Sequence, residues 1–203
     1  MSTHRRRMMG GMLKEKHYIY LPNGAYINSG IKSKSPIKIE MKFSLTNPSV
    51  STWLLGSRYG SPANDIGILN ANNSGMGTAS YIRFVCGKTA TQYQDYNRCI
   101  FDTDTHHVIL NAISGEYYFD GVKIFTFTPQ SFNNNLNLPI GAFNNRGSVS
   151  DSGNKNIYFI KFWDENGLLG DFIPQEQNGV AGLYDSVSET FKTNAGSGTI
   201  TYN

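Results

Sequence analysis

The chain has little cysteine: Cys86 and Cys99 are the whole complement of its 203 residues. Two cysteines with twelve residues between them cannot make a disulfide framework, so buried free thiols are the expected state, and one bridge between adjacent strands stays open. Long apolar runs are missing too. No stretch approaches the ~20 residues that a membrane-spanning helix needs, so no membrane contact is expected. Charge is sparse, at 16% Asp, Glu, Lys and Arg, and no segment repeats apolar residues at helical spacing. Together these argue against long solvated helices and coiled coils. The four histidines and two cysteines show no zinc-type spacing, and no EF-hand loop is present, so no metal or other cofactor is expected. Calcium held by loop oxygens near Asn64-Asp65, Asn72-Asn73 or Asn144-Asn145 stays open.

What the chain does have is aromatic residues and turn formers. Twelve Tyr, twelve Phe and two Trp supply a core, and abundant Gly, Asn, Ser and Thr suit an all-β fold with many turns. Ile37 to Leu45 is the cleanest case: Ile37, Ile39, Met41, Phe43 and Leu45 alternate with Lys38, Glu40, Lys42 and Ser44, a strand with one packed and one solvated face. Tyr117-Tyr118-Phe119, then Asp120-Gly121, then Val122 to Phe127 spell a hairpin around a two-residue turn. Tyr18–Leu21, Ala25–Asn28, Trp53–Gly56, Ile66–Leu69, Tyr81–Val85, Val108–Ala112 and Leu136–Phe143 also read as strands. Residues 57–79, 87–98 and 144–156 read mainly as loop. Twelve to fifteen short strands without helices predict a sandwich of two antiparallel sheets.

The C-terminal stretch organises this reading. Ile157 and Phe159 alternate with Tyr158, Ile160 and Phe162, so both faces are apolar and the strand belongs inside a sheet. Asp164-Glu165-Asn166-Gly167 turns the chain, Leu168 to Ile173 returns, and Pro174 ends that strand. Phe172, Leu183, Tyr184 and Phe191 are expected in the core.

The strand ending in WDENG, the returning LLGDFIP and the close GLYDSVSETFKTNAGSG resemble the C-terminal signature of concanavalin A-like, laminin G-like jelly-roll domains. YLPNGAYINSGI and HHVILNAISGEYYFDGVKIFTF are similar to the opening and the middle of the same pattern. The resemblance implies a concanavalin A-like jelly roll over residues 17–203. It also points to proteins of gut bacteria and their bacteriophages. It says less about function, because the fold hosts lectins, glycanases and structural modules.

Chemistry is largely missing. Concanavalin A-like glucanases carry E-x-D-x-x-E on one strand, where alternation keeps the carboxylates near one face, and no such string occurs. Asp102 with Asp104, and Glu116 with Asp120, border turns, where carboxylates satisfy backbone amides. His106 and His107 are adjacent on a strand and should point to opposite faces. The domain is therefore read as non-enzymatic, with a glycan hydrolase as the least favoured alternative. A sugar platform of Tyr59, Tyr93, Tyr96 and Trp53 with Asn70, Asn72, Asn73 and Asn97 is available for carbohydrate. This makes a carbohydrate-binding lectin module the leading alternative.

Residues 1–16 hold five basic residues against one acidic, a net +4 that leaves the remainder of the +3 chain at −1. A near-neutral domain is a poor nucleic-acid surface. The basic, Met-rich arm reads as an anchor. Met8, Met9, Met12 and Leu13 would fill adaptable apolar pockets, and Arg5, Arg6 and Arg7 would meet carboxylates or phosphates. No signal-peptide pattern is recognised, because Lys14-Glu15-Lys16 closes a short apolar patch. With the resemblance, and an opening RRRMM similar to the starts of phage proteins, the first expectation is a virion structural protein. It would be a capsid decoration or head fibre, or a tail protein, made in host cytoplasm. It would form homo-oligomers, be held to other virion proteins by the arm, and display a lectin-like domain to cell-surface glycans.

Overall fold

The computed structural model describes residues 17–59, 64–72, 80–87, 93–96, 102–150 and 153–203. The arm, Asn73, Asn97 and Cys99 lie outside them, so the anchor residues Arg5 to Leu13 have no structural account.

Every element among the described residues is a strand. In chain order these are β1 (Ile19–Leu21), β2 (Ile27–Ser35), β3 (Lys38–Leu45), β4 (Thr52–Tyr59), β5 (Asn64–Asn72) and β6 (Ser80–Gly87). Next come β7 (Tyr93–Tyr96), β8 (His106–Asn111), β9 (Glu116–Phe119), β10 (Val122–Thr126), β11 (Phe132–Ile140) and β12 (Phe143–Asn145). The chain finishes with β13 (Ser148–Ser150), β14 (Lys155–Asp164), β15 (Gly167–Gln177), β16 (Val180–Asp185), β17 (Thr190–Lys192) and β18 (Thr201–Tyr202).

The strands form two sheets. One runs β10-β9-β8-β3-β14-β15-β16-β17, with β1 between β14 and β18. The other runs β13-β12-β4-β5-β6-β7, with β11 against both β2 and β4. The pairings are antiparallel except β12 with β4, which is parallel. The core lies between the sheets, where Ile39, Met41, Phe43, Ile160, Phe162 and Phe172 of the first meet Leu54, Leu55, Ile66, Ile68, Ile82 and Phe84 of the second. The all-β sandwich of two largely antiparallel sheets expected from the alternating pattern is the observed fold.

Several strands follow their residue pattern. β3 pairs with β8 on one side and β14 on the other, and its Ile39, Met41 and Phe43 are fully buried. The Asp120-Gly121 turn has φ +47° and +80°, the left-handed pair that a two-residue hairpin requires.

Others depart from it. Strand β15 runs through Pro174, which lies opposite Leu183, so proline does not end the strand. Stretches expected as loop contain β7, β12 and β13, and strands β4 and β5 extend well into 57–79. In β14 a register shift falls between Ile157 and Phe159. This bulge adds one residue, so Ile157 and Ile160 are both buried while Phe159 is only partly buried. Phe159 instead packs against the His107 ring at 5.8 Å. Tyr184 and Phe191 are likewise partly buried rather than core, because they pair with each other at the sheet's β17 end, while Leu183 between its neighbours points inward.

Two polar groups brace the sandwich. Lys155 is fully buried, and its ammonium donates to the carbonyls of Trp53 at 3.3 Å and Gly141 at 2.5 Å, tying one sheet to the other. Cys86 is a buried free thiol; burial pushes its pKa up to about 12, against a smaller opposing pull from the Ser35 hydroxyl, which leaves it unreactive.

Candidate functional site

Three of the four carboxylates considered for catalysis, Asp102, Glu116 and Asp120, are committed elsewhere. Asp102 accepts the Asp104 amide at 2.9 Å, the turn role expected of it. His106 sits between two carboxylates, its Nδ1 2.8 Å from Asp120 Oδ2 and its Nε2 2.9 Å from Asp102 Oδ1. The ring lies against Phe43 and Phe119. Asp120 Oδ1 also accepts the His107 amide at 2.7 Å. His107 points to the other face, with Nε2 3.0 Å from Glu40 Oε1. Glu116 accepts from Ser114, Tyr118 and Lys123. A histidine with both nitrogens engaged by carboxylates has no vacant nitrogen to act as a base. The cluster is a clamp.

Burial on its own lowers the His106 pKa, but the hydrogen bonds and charges of Asp120 and Asp102 outweigh it and hold the ring above its ordinary value. A raised folded pKa stabilises the protein fully below the unfolded value of about 6.5 and loses that contribution as pH rises through the folded pKa. The melting temperature, measured at constant ionic strength, is therefore expected to fall as pH rises from about 6.5 through the raised value. His106→Gln should remove that segment of the profile. An unchanged profile in His106→Gln would show that the clamp is not charged.

Of the residues expected to form a sugar platform, those with described side chains, Tyr59, Trp53 and Asn70, do not converge. Tyr59 is 53% exposed and stands beside Asn64 at one end of β5. Asn72 is at the other end, eight residues along, or about 26 Å at a strand's rise per residue. Tyr93 and Tyr96 lie in β7 opposite Val85 and Ile82; their side chains and that of Asn72 are outside the described set. Asn70 is buried and donates to the carbonyls of Pro48 and Val50, a structural role. Trp53 stacks on Phe143, with ring centroids 4.1 Å apart, over Gly56 and Gly67, whose missing side chains make room for the indole. Of the loops offered for calcium, Asp65 is buried against Arg58, 2.7 Å from its guanidinium, and Asn144 is taken up as described next.

A different polar site does assemble. Strand β11 ladders with β4 at the single pair Ile140↔Leu55, and beyond that point β12 takes the place beside Gly56, Ser57 and Arg58. The β2–β11 branch and the β12–β13 hairpin therefore fork, and a groove of about 320 Å³ lies between them. Its lining includes Tyr26, Asn28, Lys32, Asn135, Asn137 and Asn144.

Each element is positioned by local chemistry. In β2 the sequence INSGIKSKS buries Ile27, Ser29 and Ser33 and leaves Asn28, Gly30 and Lys32 exposed, a period-2 row along the outer face. In β11 the side-chain Oδ1 of Asn133 accepts the Asn135 amide, and Oδ1 of Asn134 accepts the Leu136 amide, each at 3.0 Å. Asn135 takes φ +57°, which asparagine tolerates better than most residues. The ladder to β2 skips from Asn133 to Asn137 as a result. Lys32 donates to the Asn135 carbonyl at 3.2 Å. Asn144 is 6% exposed; it donates to the Asn137 carbonyl at 3.0 Å and accepts the Gly147 amide at 2.9 Å, which pins the hairpin to β11. The Tyr26 amide donates to Asn194 Oδ1 at 3.2 Å, and its ring lies on Gly196, where a Cβ would approach to 2.8 Å.

The groove thus offers an aromatic face, amides that donate and accept, and one ammonium. Among the described residues its lining includes no carboxylate and no histidine. Hydroxyl-rich neutral ligands match such a set, since every hydroxyl both donates and accepts. The run Asn133-Asn134-Asn135, given no role by the sequence pattern, contributes Asn135 to the groove.

No protein-family model matches the chain, and no curated protein does. Among solved structures, the chain is similar to the CBM40 module of the Ruminococcus gnavus IT-sialidase bound to α2,3-sialyllactose, at 14% identity and TM-score 0.46, covering 70% of this chain and 89% of that one. Another structure of the same module is similar at 16% identity and TM-score 0.44, with the same coverage. At this level of likeness no residue role passes from that module to this chain.

Proposed function

We propose that the domain is a non-catalytic carbohydrate-binding module whose ligand lies in the fork between the β2–β11 branch and the β12–β13 hairpin. The observation that carries this is the lining itself: a tyrosine face and asparagine amides, with no carboxylate or histidine among the described lining residues. Binding without turnover needs those groups, whereas glycoside cleavage needs a carboxylate pair across the scissile bond.

A glycan array with the wild-type chain and with Tyr26→Ala and Asn28→Ala tests this. Both variants keep the core, since Asn28 is exposed and Tyr26 only partly buried. Each is expected to lose about tenfold in affinity, the 1–1.5 kcal/mol of one lost hydrogen bond or aromatic contact. Wild-type binding unchanged in both variants, or no binding to any glycan, would overturn the reading.

Attachment to a phage particle is a separate part of the proposal. It is supported by the concentration of positive charge in residues 1–16. Particles assembled with a chain lacking residues 1–16 should lose the co-sedimenting domain, while its melting temperature stays unchanged. Full occupancy without the arm would place the contact in the sandwich.

A further inference from the structure

The fork groove does not end at β2. On the other edge of that strand the chain returns as residues 191–195. Ile27 pairs with Asn194 in an isolated bridge, and the Ala195 amide donates to the Tyr26 carbonyl at 2.8 Å. Asn194 fixes this segment with its whole side chain, accepting the Tyr26 and Gly196 amides and donating to the carbonyls of Gly196 and Gly198. Between this segment and β2 lies a second depression of about 370 Å³, lined by Asn28, Gly30, Phe191, Lys192, Thr193 and Asn194 among others. Asn28 lines both depressions.

The crossing between them is low. Gly30 is exposed and a Cβ built on it would meet nothing within 4 Å, so packing does not exclude a side chain there. Its φ of +79° does favour glycine, and the result is a gap in the row between the Asn28 and Lys32 side chains. Asn28 Oδ1 accepts the Gly30 amide at 3.1 Å, which ties the Asn28 side chain to its own strand beside this gap. Each depression carries one aromatic residue, Tyr26 on the fork side and Phe191 on the far side. The path from β11 over β2 to residues 191–195 spans two inter-strand spacings, about 10 Å, which exceeds the width of one sugar ring.

We infer that the two depressions are successive subsites of one binding track, and that the ligand is an internal stretch of a linear, neutral oligosaccharide lying across β2 rather than a single sugar or a chain end. This rests on the carbohydrate reading above and deepens it.

Calorimetric titration with cello-, xylo- and manno-oligosaccharides of two to six units tests the inference. At least one series should bind, with the hexasaccharide about tenfold or more tighter than the disaccharide. Thr193 is exposed, so Thr193→Trp fills the far depression from the surface; it should bring the hexasaccharide down to the disaccharide's affinity and leave the disaccharide unchanged. Phe191→Ala should reduce the length gain in the same direction. Equal affinity for two and six units, a length gain that survives Thr193→Trp, or no binding to any series would overturn the inference. Glycan-array binding that persists in any of these cases leaves the binding module itself standing, whereas absence of array binding removes both.

Discussion

Phe172→Ala is expected to lower the unfolding free energy by about 3–5 kcal/mol, the usual loss for a fully buried phenylalanine. Phe172 is 0% exposed and stands in β15 between Ile160 of β14 and Asp185 of β16. Its ring meets Phe162 edge-on, with centroids 5.8 Å apart at 89°. It also covers Gly170, where a Cβ would come within 2.6 Å of the ring. Truncation removes the aromatic contact and leaves a cavity that strands hydrogen-bonded on both sides cannot close. Phe159→Ala is the matched control on β14. The bulge turns that ring outward, so about 1 kcal/mol is expected, as for a typical partly buried change. Urea unfolding of both variants gives the comparison. Equal losses would mean that the bulge does not set which aromatic is core.

Asp185→Ala should cost about 2–3 kcal/mol through lost hydrogen bonds alone. The carboxylate is 2% exposed. Its Oδ1 accepts the amides of Asp171 at 2.9 Å and Val187 at 3.1 Å, and its Oδ2 accepts the Ser188 hydroxyl at 2.5 Å. It closes the β15–β16 ladder where the backbone turns toward β17, and alanine would strand those donors. Asn at 185 keeps one carbonyl for the two amides, so Asp185→Asn should retain more than half of the lost stability. If Asn proved as costly as Ala, the negative charge rather than the accepted amides would be the source. Both depressions of the proposed track lie away from Asp185, one between β2–β11 and β12–β13 and the other on β2 and residues 191–195, so Asp185→Ala should leave the series of oligosaccharide affinities unaltered in protein that remains folded.

Residue order alone determined the fold class. Strict alternation in β3, the Asp-Gly turn between β9 and β10 and the absence of any helical period are local properties, and a strand with one apolar face can bury it only against another layer. The turn roles of Asp102 and the opposite faces of His106 and His107 were legible for the same reason, since both depend on residues within two or three positions. The phase of β14 was not, because a bulge depends on how β3 pairs with it, and one inserted residue exchanges Phe159 for Ile160 in the core. Nor was the far partner of His106: Asp120 reaches Nδ1 only because β8 and β9 pair and bring the turn after β9 back to it. The proposed binding groove was the least legible of all. Tyr26, Asn28 and Lys32 come from β2, Asn135 and Asn137 from β11, Asn144 from β12 and Phe191 to Asn194 from the close of the chain. Each looked like an ordinary surface residue in its own segment. Only the fork at Leu55, where β12 displaces β11 from β4, together with the bridge from Ile27 to Asn194, places them along one track; such long-range pairings follow from the packing of the whole chain and leave no pattern in any single stretch of it.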